Sequence, residues 1–262
     1  LPEKENHYLG GIFPARDRFG LALLDYTTGE FLITEILEPR SFQRLQEEFS
    51  RFAPVEVLVP PNLKSDDPLI TFLAQSGALV VDDLVEGAFD PGAAYELLLD
   101  HFHTHSLEGF GCEELKAAIT AGGAVLYYLK ETQKRELSHI TKVSGYSSEG
   151  HMILDAATQR NLELVVGLRN SSREGSLLEI LDRTVTPMGG RKLKQWVLQP
   201  LLELEEIERR QQGVEEFFLD RILQEEARGL LKEIGDMERI ISRVALGAAN
   251  ARDLLALSRS LR

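Results

Sequence analysis

The sequence has one cysteine, Cys112, and one tryptophan, Trp196, in 262 residues. A lone cysteine excludes an internal disulfide framework and suits a reducing compartment such as the cytosol. No apolar run approaches the roughly 18 residues a membrane span needs, so no transmembrane helix is expected. The opening Leu1-Pro2-Glu3-Lys4 lacks the pattern of a signal peptide. Positive charge is short as well: 29 Lys and Arg stand against 42 Asp and Glu, a formal net charge of -13. That balance excludes nucleic-acid binding through a broadly basic surface. Phosphate-binding loops are missing too. The nearest stretch, Gly189-Gly190-Arg191-Lys192, lacks the first glycine and the Ser/Thr of the G-x-x-x-x-G-K-[ST] cradle. No G-x-S-x-G elbow, internal repeat or low-complexity segment occurs.

What is present reads as a soluble globular chain, 43% hydrophobic and 27% charged, of a length that fits two domains. Its charge is uneven. Residues 1–130 hold 9 Lys and Arg against 21 Asp and Glu, whereas residues 131–262 hold 20 against 21. This contrast supports a division of the chain and directs any nucleic-acid role to the second half. The boundary is expected at 111/112, with an α/β domain over 1–111, a helical domain over 112–262 and a long helix 112–131 joining them.

Residues 7–13, 20–25 and 31–37 read as strands, with a hairpin turn at Thr27-Thr28-Gly29. Phe31, Ile33 and Glu35 would share a face of the third, which Pro39 ends. Ser41 is the expected N-cap of a helix carrying Phe42, Leu45 and Phe49. The run 55–59, closed by Pro60-Pro61, suits a buried strand; Asp67-Pro68 opens a helix, and 78–81 is a further strand. A mixed sheet follows from this order. From 112 onward the pattern is helical. Leu115, Ala118, Ile119, Gly122, Leu126 and Leu129 form one stripe, and Gly122-Gly123 would allow close helix packing. A strand pair is expected at 139–143 and 151–154. Thr186-Pro187 starts a helix that turns Leu193, Trp196 and Val197 inward and stops at Pro200. The next carries Leu204, Ile207, Val214 and Phe218. Helices over 222–234, 237–246 and 252–261 follow, the last capped by Asn250 with Asp253 three residues on.

Few groups suit chemistry. His101, His103 and His105 would converge on a metal only if this stretch were a strand; it continues a helical pattern, which makes them solvated or helix-terminal. Asp25, Glu35, Asp82 and Asp83 could serve a two-metal nuclease, but nothing in their spacing brings them together, and acids after strands are commonly turn or cap residues. Arg191 and Lys192 could meet phosphate; solvated surface is the plainer reading. The distinctive stretch is Asp155 to Leu164, where Asp155, Thr158, Arg160, Asn161 and Glu163 crowd an otherwise apolar helix start. Such density beside a core is read as a hydrogen-bond network joining segments, with Asp155 as cap.

These residues also carry a resemblance. The run 154–164, then Thr184-Val185-Thr186-Pro187-Met188-Gly189-Gly190-Arg191, Gln199-Pro200-Leu201, Asp236-Met237-Glu238-Arg239 with Arg243, and Arg252-Asp253-Leu254 resemble, in order, the core domain of the MutS family of DNA mismatch repair proteins. Leu107-Glu108-Gly109-Phe110-Gly111, with Tyr128-Leu129 and Thr132-Gln133, is similar to the join between that family's connector and core. The resemblance implies an RNase H-like α/β connector followed by an incomplete all-α core, with Asp155, Thr158, Arg160, Asn161, Glu163, Thr186, Pro187, Gly189 and Arg191 as the structural core motif. Gly11-Ile12-Phe13-Pro14-Ala15 departs from the family's G-x-F-Y-E mismatch motif, and no Walker A loop occurs. The expectation is therefore a piece of a longer bacterial, cytoplasmic protein that has no catalytic residue, metal or cofactor of its own; ATP and Mg would belong to the full-length family protein. It would relay mismatch and nucleotide state within a MutS dimer. Its implied partners are a second MutS subunit, mismatched DNA reached through other domains, and MutL, docked on positions matching Glu96 and Leu97. A metal-dependent nuclease and a protein-only helical scaffold are the alternative readings.

Overall fold

The computed structural model describes residues 3–37, 42–63, 67–81, 84–133, 137–147, 150–169 and 172–262. They form two compact units: a sheet unit of Asn6–Ser147 with Ser242–Gly247, and a helical unit of Leu1–Glu5, Ser148–Ile241 and Ala248–Arg262.

The sheet unit is built on an antiparallel meander of β1 (Leu9–Pro14), β2 (Phe19–Asp25) and β3 (Glu30–Ile36). β4 (Glu56–Leu58) pairs parallel with β1, and β5 (Leu79–Val81) with β4. A two-residue β6 (Ser144–Gly145) pairs parallel with β3, giving the order β5-β4-β1-β2-β3-β6. This is the mixed sheet the RNase H-like reading implied. The β2–β3 turn forms where expected: the amides of Thr28 and Gly29 donate to the Asp25 carbonyl, and Gly29 takes φ 80°.

Strand periodicity sorts the core into two layers. Ala22 and Leu24 of β2, with Phe31 and Ile33 of β3, face one cluster, while Leu21 and Leu23, with Ile36, face the other. The second layer is covered by α1 (Gln43–Phe52) and α2 (Pro68–Ser76). Asp67 caps α2 through the Leu69 amide, with Pro68 in the first turn, as read from the sequence. Ser41 and Pro39, expected to cap α1 and end β3, lie outside the described residues.

α3 (Pro91–Phe102) and α4 (Lys116–Gln133) cover the first layer. α4 is not the one-sided amphipathic joining helix that its apolar stripe suggested. Every residue from Ala117 to Leu126 is buried, because small side chains let the helix lie between sheet and α3. A Cβ on Gly20 would stand 2.0 Å from the Ala117 carbonyl oxygen, and one on Gly123 would stand 2.4 Å from the Ala94 Cβ. Glu35, on the face of Phe31 and Ile33, accepts from the Ala117 amide at 2.7 Å and so caps the same helix. α4 thus completes the sheet unit's core, and the units divide after Ser147 rather than at 111/112, where the helical pattern begins.

The expected strand pair also differs. Residues 144–145 extend the sheet beside β3, whereas His151 forms an isolated antiparallel bridge with Leu201 in the helical unit. That unit comprises α5 (Ala156–Asn161), α6 (Leu177–Leu181), α7 (Pro187–Leu198), α8 (Leu204–Leu219), α9 (Arg221–Glu233), the first half of α10 (Met237–Ala245) and α11 (Ala251–Ser260). Thr186 caps α7 through the Gly189 amide at 3.0 Å, and Pro187 stands at its first turn. Asn250 and Asp253 form the reciprocal capping box on α11. The inward stripes fared worse. Trp196 is exposed, with the Arg210 guanidinium 4.0 Å from its ring centroid, and no residue of α8 or α9 is buried.

Candidate functional site

In the sheet unit the acids that a nuclease would need serve the fold. Asp25 is fully buried at the end of β2, where its carboxylate accepts from the Thr27 amide and hydroxyl, the His7 amide and the Asn6 side-chain amide. Those donors satisfy a carboxylate that burial alone would penalise. Glu35 divides its oxygens between the Ala117 amide and Arg18, at 2.7 Å each. Asp82 and Asp83 lie outside the described residues. Among the described residues no group of three or more His, Cys, Asp and Glu is placed to hold a metal ion. α3 ends at Phe102 with His103 in the left-handed conformation, so the three histidines do not line up as on a strand. His101 Nε2 lies 2.9 Å from the Ile140 carbonyl oxygen, and burial pushes its pKa down. Burial likewise pushes the Cys112 thiol up to about 11, away from nucleophilic use. Glu96 is exposed on α3, whereas Leu97 is half-buried against the sheet unit's core.

The helical unit holds two polar clusters drawn from the predicted motif. In the first, Asp155 caps α5 by accepting from the Thr158 amide at 2.6 Å, and hydrogen bonding from the Thr158 side chain and amide holds its carboxyl below the usual range. Glu163 leaves the helix with φ 48° and accepts from the Leu168 amide at 2.6 Å. Its carbonyl takes the Leu177 amide at 2.9 Å, tying this turn to α6. Arg160 and Asn161, expected in the network, face solvent, while the buried residue is Gln159, whose side chain donates to the Leu154 carbonyl. Nothing in the sequence separates Gln159 from its polar neighbours Arg160 and Asn161, which face solvent.

The second cluster is centred on Arg191, which is not a solvated surface residue but 6% exposed. Its guanidinium meets Asp236 in a fork of two 2.8 Å bonds, adds Glu238 at 2.6 Å, and donates to the Glu3 carbonyl at 2.7 Å. Arginine suits this position because its planar donors match a carboxylate two at a time. Arg239 donates to the Glu5 carbonyl. Burial pushes Asp236 up, yet the hydrogen bonds and charge of Arg191 prevail and hold it low. A few residues before α7, Asp182 accepts from Lys4, Arg173 and the amide and hydroxyl of Thr184. Burial opposes its ionisation, but these donors hold its carboxyl far below the ordinary range. Gly189 and Gly190 have separate duties here. A Cβ on Gly189 would come 2.9 Å from the Thr186 hydroxyl, and one on Gly190 would come 2.5 Å from the Lys4 stem. Lys4 and Asp182 were not singled out from sequence, because nothing local links residues 178 positions apart.

The chain is therefore a mixed-sheet unit and a helical unit whose buried ionic groups, in these clusters, act as ties within each unit. Comparison with known proteins narrows this class. The family model for MutS domain II matches residues 8–141, and that for MutS domain III matches residues 157–262. The DNA mismatch repair protein MutS of Symbiobacterium thermophilum is 44% identical over 262 residues, covering 100% of this chain and 30% of the relative. That of Halothermothrix orenii is 41% identical, covering 100% of this chain and 29% of the relative. The MutS of Methanococcoides burtonii is 39% identical, covering 99% and 29%. The chain belongs to the MutS family and consists of its domains II and III, the connector and core of the expected pattern. It spans about 30% of the length of these relatives.

Proposed function

We propose that this chain is the connecting part of a cytoplasmic DNA mismatch repair protein, one that transmits state between other parts of the molecule and performs no chemistry itself. The observation that carries this reading is identity of about 40% running through both units to proteins named for mismatch repair. The commitment of Asp25 and Glu35 to the fold supports a role without catalysis. ATP with Mg, and mismatched DNA, would be bound by parts of the longer protein, and a second MutS subunit would complete the working assembly. A relay needs discrete arrangements of its units and no reactive group.

MutL is the proposed partner of the connector, docking on α3 around Glu96, with Leu97 supporting that surface from beneath. Charge reversal at an interface position removes a favourable contact and adds a repulsive one. In the full-length protein, Glu96→Arg with Leu97→Arg should weaken MutL recruitment about tenfold or more while leaving mismatch binding intact. Unchanged recruitment on a sensor surface carrying MutL would refute the assignment. The chain by itself should turn over no ATP and bind DNA weakly, with a shallow salt dependence because few phosphates are contacted; ATP turnover above background would overturn the relay reading.

A further inference from the structure

The second cluster has a feature that neither a structural core motif nor a docking role requires. Three consecutive residues ahead of the sheet unit, Glu3, Lys4 and Glu5, are each held by a different part of the helical unit. Glu3 gives its carbonyl to Arg191, from the start of α7. Lys4 sends its ammonium to both oxygens of Asp182, at 3.0 and 2.9 Å, and to the carbonyl and hydroxyl of Thr184, at 3.2 and 3.0 Å. Glu5 gives its carbonyl to Arg239 of α10. The Lys4 stem crosses α7 where Gly190 has no side chain, so the glycine supplies the channel and the acid supplies the anchor.

These ties differ from those of a packed core. None of the three residues contributes an apolar side chain, and the contacts are a lysine and two main-chain carbonyls meeting charged side chains. The receptor's ion pairs stand without the segment. Arg191 keeps Asp236 and Glu238, and Asp182 keeps Arg173 and Thr184. Arg239, itself buried, would give up the Glu5 carbonyl and keep its ion pair with Asp236 at 3.9 Å, so removing the segment leaves no buried charge without an ionic partner, whereas removing Arg191 or Asp236 would. A segment held by polar ties and one lysine stem, on a receptor that keeps its own ion pairs, can open at a cost well below global unfolding.

We propose that residues 3–5 form a releasable strap on the helical unit, latched by Lys4 on Asp182 and by the Arg191 and Arg239 guanidinium groups, and that the strap opens without unfolding its receptor. Asn6 is the first residue of the sheet unit, so opening lengthens the free chain leading into that unit. The latch is a conformational device of the chain itself and stands whether or not the relay and MutL readings hold.

The test uses the full-length protein, with other reactive cysteines replaced and a nitroxide spin label on Glu3→Cys, a position whose side chain is exposed. The latch is broken in two independent ways. Lys4→Met keeps the stem and removes the ammonium, and Gly190→Ala blocks the channel and leaves every charge in place. Hydrogen exchange of α7 and α10 is followed in parallel. The expected result is an immobilised spectrum in the parent, loss of that component in both variants, and unchanged protection of the two helices. Arg160→Ala, on the exposed face of α5, should leave the spectrum as it is. A label already mobile in the parent, or still immobile in Lys4→Met, would overturn the proposal. Mobility accompanied by lost protection along α7 would overturn it too, by making the segment part of the cooperative fold.

Discussion

At the residue scale, the buried charges of the helical unit set how the protein responds to acid. Asp182 and Asp236 both have folded-state pKa values held below their ordinary range. A carboxylate depressed on folding contributes stability that is present above its unfolded pKa, about 3.9, and is lost as pH falls toward the folded value. The helical unit should therefore keep its stability from neutrality to about pH 5 and weaken progressively below about pH 4. Denaturation midpoints taken across pH 7 to 3 check this. Asp182→Asn should flatten the acid limb, and a limb of the same slope in that variant would assign the loss to other groups. Glycines give a second prediction at this scale. Gly20→Ala sets a methyl 2.0 Å from a backbone oxygen, where no side chain can yield. The sheet unit should lose at least about 1–3 kcal/mol, the usual cost of overpacking a tight site. Gly77→Ala instead tests conformation alone, since Gly77 has φ 79° and nothing within 4 Å of the added Cβ. Urea midpoints should place its loss below that of Gly20→Ala.

Elements whose signals are local were legible in the sequence, and those that depend on a distant partner were not. Thr186-Pro187, Asp67-Pro68 and Asn250 with Asp253 were readable as helix starts because a cap involves only its own next three residues. The meander was readable for the same reason, its strands being joined by short turns. β6 was missed because two residues beside β3 have no periodicity of their own. α4 was read as one-sided because alanine and glycine carry little hydrophobic signal, although Gly20, Gly122 and Gly123 are what allow it to be surrounded. In the candidate site, Asp155 and Glu163 were found, while Lys4, Asp182 and Gln159 were not, since their partners or their burial depend on tertiary structure. The caps themselves can be tested. Thr186→Ala removes a hydroxyl from the Gly189 amide and should cost about 1 kcal/mol. It should also loosen exchange in the first turn of α7, and equal exchange in parent and variant would show the cap to be redundant.

For the whole molecule, the two units divide the work of staying folded unequally. The sheet unit buries both faces of its sheet, with α4 enclosed from Ala117 to Leu126. In the helical unit Val214, Phe218, Leu219, Ile222 and Leu230 are each at least 70% exposed along α8 and α9. Five large apolar side chains on one helical hairpin exceed the scattered exposure normal for a soluble surface. These helices therefore gain little from packing, and isolated helices of 16 and 13 residues are marginal in water. Unfolding of this 262-residue chain should accordingly not be two-state. Amide protection should be lost first in α8 and α9 and last in β1 to β3 and α4, at lower denaturant for the hairpin than for the sheet. The same surface should bind an apolar dye and draw chains together as concentration rises, and Phe218→Ser with Ile222→Ser should reduce both. A single coincident transition in hydrogen exchange and circular dichroism, with no dye binding, would mean that the hairpin is stabilised by contacts other than those within its unit.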